Sequence, residues 1–123
     1  MLLCKKAPKW DEVTEKMAFR SPGLPDLGLE TRRDFPYRVY VLKCAGPSPT
    51  SNYFYYVGVT TAKDVAYRME QHFSFRTGAA FTKAHRPLGI ELLQPVLTTA
   101  AEAFVYYAMV QHLGLKYVLN GHL

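Results

Sequence analysis

Cysteine is scarce in this chain: Cys4 and Cys44 are the only two in 123 residues. Two are too few for a disulfide framework, and they lack the paired spacing of a zinc site, so a reducing compartment is expected. Long apolar runs are also missing. No stretch approaches the roughly 20 residues that span a bilayer, and Met1 to Cys4 is too short for the core of a signal peptide. The six acids before Phe35 argue against a transit peptide, which is normally acid-poor. These absences predict a soluble intracellular protein with no membrane partner. Internal repeats and low-complexity tracts are absent too, and the length leaves no room for a second full domain beside a first.

Acid is the remaining scarcity. Lys and Arg number 15 against 10 Asp and Glu, a formal charge of +5. Residues 1 to 34 carry seven basic and six acidic residues, whereas residues 35 to 123 carry eight basic and four acidic. Between Glu70 and Glu91 there is no acid, while His72, Arg76, Lys83, His85 and Arg86 accumulate. Such a stripe suits a polyanion, because each cation placed on a phosphate releases condensed counterions. It equally suits a solvated face of a basic protein, and charge alone does not separate the two.

What is present divides the chain at about residue 34. Before it, Trp10, Val13 and Met17 recur at helical spacing behind Asp11 and Glu12, which predicts a short helix over about residues 10 to 19. Pro22, Gly23, Pro25 and Gly28 then interrupt any regular element, so residues 1–34 read as an extension that packs on the domain or on a protein partner. From 35 to 123 the pattern is that of one α/β (α+β) domain. Residues 37 to 43 and 53 to 60 are β-branched and aromatic, and the proline-rich stretch 45 to 52 between them predicts an antiparallel hairpin. Val65, Arg68, Met69 and His72 recur at helical offsets over 64 to 73. A polar, basic loop over 74 to 87 leads to a third strand over 88 to 97, with Pro95 marking its edge or end. A last helix over 100 to 112, capped by Thr98 or Thr99 and ended by Gly114, is apolar on most sides and is expected to be buried. Lys116 to Leu119 adds a short extended segment. The expected product is a small three-stranded antiparallel sheet flanked by helices.

Several local motifs fall in an ordered set. RVYVLKC at 38 to 44 contains Tyr40, YYVG at 55 to 58 contains Tyr56 and Gly58, YRMEQH at 67 to 72 contains Arg68 and His72, and TGAAFTKAHRPL runs from 77 to 88. Taken singly, Tyr40 and Tyr56 also read as cross-strand packing residues, and Arg68 with His72 as a solvated helix face. As a set, the four resemble the GIY-YIG nuclease superfamily, closest to the branch with structure-selective junction nucleases. The resemblance covers about residues 37 to 119. Arg38 stands where that family usually has glycine.

The resemblance implies a site for phosphodiester hydrolysis in which Tyr40 and Tyr56 orient or deprotonate a water. Arg68 would clamp a phosphate oxygen, and His72 would hydrogen-bond the phosphate or relay a proton. Arg76, Lys83, His85 and Arg86 would follow the nucleic-acid backbone without reading its sequence. The family's single Mg²⁺ or Mn²⁺ is held by a glutamate on the last helix, and here Tyr107 falls on that position. A neutral phenol is a poor ligand for Mg²⁺. Glu102 fills the outer glutamate place of the motif, about 140° around the helix from Tyr107 at about 100° per residue. The resulting expectation is a GIY-YIG-type domain acting on nucleic acid, DNA in the first instance, with cleavage impaired or lost. An active endonuclease with a repositioned carboxylate, such as Glu102 or Glu70, or one supplied by a partner, is the alternative. A structural subunit of a larger complex is the third reading.

Overall fold

The structure is a computed structural model, and it describes residues 2–3, 10, 19–46, 53–74 and 85–120. Its strands are β1 (Leu2–Leu3), β2 (Phe19–Arg20), β3 (Tyr37–Cys44), β4 (Phe54–Thr61), β5 (Pro87–Val96) and β6 (Val118–Asn120). Helix α1 spans Val65–Ser74 and α2 spans Ala100–Leu113, followed by a 3-10 turn at Leu115–Tyr117. The helix expected over 10 to 19 lies outside the described residues except at its ends, where Trp10 is helical and Phe19 is already extended.

The expected sheet of three antiparallel strands is corrected to a mixed sheet that has six strands among the described residues. Its centre is antiparallel, with β3 between β4 and β5. The two short strands β1 and β2 both pair with the outer edge of β5, and β6 runs parallel to β4 on the other side. The two-residue strands β1 and β2 carry no readable alternation, so nothing in their own sequence announced them, whereas β6 overlaps the extended segment expected over Lys116 to Leu119. Covering the β5 edge hides backbone donors and acceptors that would otherwise stand open to another chain.

Period-two alternation distributes β3 between two core layers. Tyr40, Leu42 and Cys44 face α1 together with Tyr56, Val65, Met69, Ile90 and Leu93. Val39 and Val41 face α2 together with Val57, Leu92, Val96, Val105, Met109 and Val118. Each of the large side chains contributes about 1.5–3 kcal/mol when fully buried. Strand β5 reaches both layers out of phase with its sequence because of a bulge. Val41 pairs with Leu92 and Leu42 with Ile90, so Glu91 is the extra residue, and its carbonyl accepts the Ser21 amide at 2.7 Å.

The segment before β3 is tied into both layers. Trp10 stacks on Phe73 at 4.9 Å in the α1 layer, and Leu24 is buried in the α2 layer. Arg38 clips the entry to β3: its guanidinium donates to the carbonyls of Phe35 at 2.6 Å, Tyr37 at 3.0 Å and Arg33 at 3.2 Å. A glycine there would leave those carbonyls without this partner.

The expectation that α2 is buried on most sides is also corrected. Its fully buried residues are Glu102, Val105 and Met109, while Phe104 and Tyr107 are more than half exposed. The helix packs on the sheet along one stripe and nothing among the described residues covers its outer side. Thr99 occupies the N-cap position without a side-chain cap hydrogen bond, and Gly114 ends the helix at φ 99° with its amide on the Val110 carbonyl. Among the described residues no helix is long and apolar enough to cross a membrane.

Candidate functional site

The strand register decides where the two tyrosines point. Tyr40 lies directly opposite Gly58, and Tyr56 opposite Leu42, so the phenols are diagonal neighbours on one face of the sheet. Gly58 has no side chain, and the Tyr40 ring lies across it. A Cβ built on Gly58 would stand 2.4 Å from the Tyr40 phenol carbon and oxygen, far inside contact distance. Gly58→Ala is therefore expected to cost about 2 kcal/mol through overpacking, read as a lowered urea midpoint with unchanged slope. The same variant should broaden or shift the Tyr40 ring resonances, since the phenol has to leave its bed.

Helix α1 brings the next two groups to this face. The Tyr40 hydroxyl meets His72 Nε2 at 2.9 Å, and the His72 ring packs edge-on to Tyr40 and Tyr56 at 5.5 and 5.3 Å. One turn earlier, Arg68 comes within hydrogen-bonding reach of both phenols and donates to Gln71 Oε1 at 3.1 Å. Burial holds the Tyr40 phenol far above its ordinary range; the Arg68 charge and hydrogen bond pull against this, while Tyr56 and Glu102 add to the rise. Tyr56 is raised by the same burial and Glu102 influences, again opposed by Arg68. Burial also works against the Arg68 charge, but the two phenols more than offset it and hold the guanidinium above its usual value. His72 is driven down to about 3, first by burial and then by Arg68. The imidazole is thus neutral at pH 7. Arginine has only donors, so the phenol hydrogen of Tyr40 remains available for His72 Nε2, which places the ring hydrogen on Nδ1.

This geometry changes the part expected of two residues. His72 is wholly enclosed and Tyr40 is 1% exposed, so His72 cannot touch a phosphate from where it sits. Its contact is with Tyr40, and the pair fixes the floor on which Arg68 rests. Burial won because Met69 and Val65 of α1 and Ile90 and Leu93 of β5 close over the same face.

Glu102 is the group that the sequence placed least well. It is 5% exposed, and its Oε2 has no hydrogen-bond partner among the described residues. It lines a cleft of about 440 Å³ with Tyr37, Val59, Thr60, Thr61 and Thr99, at the end of the sheet where β3 begins and β4 ends. It lies on the α2 side of the sheet, and its charge adds only a lesser influence on Tyr40 and Tyr56 across the strands. Tyr107, by contrast, is 59% exposed and rests edge-on against Tyr106 at 5.3 Å. The two positions lie on different sides of α2, and it is Glu102 whose carboxylate turns inward. The three threonines and Tyr37 carry no sequence signal of a site, since hydroxyl residues at strand and helix ends are ordinary.

The chain matches no protein-family model, no curated protein and no solved structure. Among the described residues no three of His, Cys, Asp and Glu gather in one place. That arrangement is not what Mg²⁺ asks for: the ion keeps several waters and is often held by one or two carboxylates plus substrate phosphate. Glu102, which lines a cleft with three threonines, would supply one such carboxylate.

The expected backbone-contact residues lie elsewhere. Arg76 and Lys83 fall outside the described residues. His85 packs edge-on to Phe54 at 4.7 Å, and the Arg86 carbonyl accepts the Ala45 amide at 2.8 Å. Both sit where β3 ends and β5 begins, the opposite end of the sheet from Glu102. Glu70 is exposed on α1.

Proposed function

We propose that this chain is a GIY-YIG-type domain that hydrolyses nucleic-acid phosphodiesters, DNA in the first instance, with Glu102 as its metal-binding carboxylate. The observation that carries this reading is the gathering of Tyr40, Tyr56, His72 and Arg68 on the α1 face of the sheet, with the Glu102 cleft on the α2 side of the same strands. Arg68 offers its remaining donors to a phosphate oxygen, and the two phenols hold the guanidinium so that little side-chain entropy is lost on binding. His72 takes the Tyr40 hydrogen and so keeps the phenol oxygen directed at Arg68. Glu102, with Thr60, Thr61 and Thr99 around it, would hold a hydrated Mg²⁺ or Mn²⁺. Such an ion supplies Lewis-acid stabilisation of the leaving oxygen.

A second reading has its own observation. Tyr40 and His72 are enclosed, and Tyr56 is 4% exposed, which suits a core that outlived its chemistry in a domain that binds nucleic acid without cutting it. One assay separates the two. Supercoiled, branched and single-stranded DNA are incubated with the purified protein and Mg²⁺ or Mn²⁺, beside Arg68→Ala. Cleavage that disappears in Arg68→Ala supports the hydrolytic reading. Binding without cleavage supports the silent module, and neither activity leaves a role as a subunit of a larger assembly.

A further inference from the structure

The end of the sheet away from Glu102 carries a second concentration of chemistry. Three stretches of the chain contain no Asp or Glu, residues 35–63, 71–90 and 103–123. The strand register delivers all three to one place. Cys44 pairs with Phe54 on one side and with Pro87 on the other, and Tyr55 pairs with Val118. The cations and aromatics at this end are interleaved. Lys43 Nζ lies 3.9 Å from the Tyr53 ring centroid, and Lys116 Nζ lies 5.6 Å from that of Tyr117. Phe54 contacts both His85 and Tyr117, at 4.7 and 6.4 Å between ring centroids. Tyr53 is 45% exposed, and Arg86 and Lys116 are exposed at the same end of the sheet. The one described acid on these paired strands near this end, Glu91, is 6% exposed and influences Tyr55 inside the α2 layer.

We infer that this end of the sheet is a docking platform for single-stranded nucleic acid, with Tyr53 stacking on bases and Lys43, Arg86 and Lys116 meeting phosphates. Charge complementarity selects a polyanion, and the aromatics select one with exposed base faces. A duplex offers its phosphates but keeps its bases stacked inside, whereas a single strand offers both. The inference deepens the nucleic-acid reading above and rests on it for the class of polymer, but not for hydrolysis. It also gives His85 and Arg86 a place: they belong to a contact at the opposite end of the sheet from Glu102.

Fluorescence anisotropy with labelled oligo(dT), a duplex of equal length and inorganic polyphosphate as competitor tests this. The wild type should bind oligo(dT) more tightly than duplex, and polyphosphate should compete poorly. Tyr53→Ala should weaken oligo(dT) binding about tenfold, while Tyr53→Phe keeps it. Lys116→Ala, at an exposed position, should lower the slope of log affinity against log salt by about 0.7. Far-UV circular dichroism confirms that all three variants fold. Equal binding of duplex and single strand, or Tyr53→Ala binding as the wild type does, overturns the platform. Should that happen while Arg68-dependent cleavage persists, the platform alone is lost. Tyr53-dependent binding without any Arg68-dependent cleavage instead removes the hydrolytic reading alone.

Discussion

Glu102→Met is expected to make the protein more stable and, at the same time, to end metal-dependent cleavage. The two effects have one cause. A buried carboxylate oxygen without a partner carries a desolvation cost of about 1–3 kcal/mol, and Glu102 Oε2 is in that situation. Methionine has nearly the same shape and leaves nothing to desolvate, so stability should rise by about 1–2 kcal/mol. For a domain of this size that is a gain of several degrees in Tm. The cleft would then lack its only buried carboxylate among the described residues that line it. Losing the metal's stabilisation, worth several kcal/mol, should lower the cleavage rate by at least about a hundredfold. Thermal melts, calorimetric titration of Mn²⁺ and plasmid nicking read the three consequences separately. A carboxylate kept only for structure gives the reverse pattern: Glu102→Met would melt earlier, and Mn²⁺ binding and nicking would be unchanged. Glu102→Gln, which keeps a polar head group, should lose Mn²⁺ binding with a smaller gain in stability.

The parts of this site that could be read in the sequence are those governed by local period. Alternation in 37 to 43 and 53 to 60 placed the strands within a residue, and helical spacing of Val65, Arg68, Met69 and His72 placed α1 equally well. Register was out of reach, because residues 45 to 52 do not fix how the hairpin closes. The structure sets Tyr40 opposite Gly58, with the Tyr40 ring in the space a side chain there would fill. The bulge at Glu91 was equally illegible, since an extra residue leaves the composition of a strand unchanged. Helix α2 misled for a different reason. With few polar residues, it gives no indication of which side meets the sheet. Glu102 and Tyr107 lie on different sides of the helix, but motif position assigned the inward side to Tyr107, and packing gives it to Glu102. Burial of His72 was hidden because histidine one turn from arginine looks the same on a solvated face as in a core.

Acid should unfold this protein through His72, and the direction follows from which state takes the proton. In the unfolded chain a histidine titrates near about 6.5, whereas in the fold His72 is held down to about 3, chiefly by burial and further by Arg68. Between those values the unfolded state binds a proton that the native state refuses, so stability is complete above about pH 6.5 and is lost as pH falls through the window. One proton corresponds to about 1.4 kcal/mol per pH unit, which makes the loss on the order of 3 kcal/mol between pH 7 and pH 4. The groups that face the imidazole are Tyr40, Tyr56 and Arg68, and none of them gains or loses a proton in that range. Urea melts at half-unit steps from pH 7 to pH 4 should show the slope, and His72→Gln should remove about one proton from it. Glutamine still offers Tyr40 an acceptor, so the variant loses the titration without stranding the phenol. An identical pH slope in His72→Gln would mean that His72 reaches solvent, and then Arg68 would have lost its support. The consequence for activity is that an acid limb in any cleavage profile should follow unfolding. A neutral histidine locked behind Tyr40 holds the site together and does not itself trade protons with substrate.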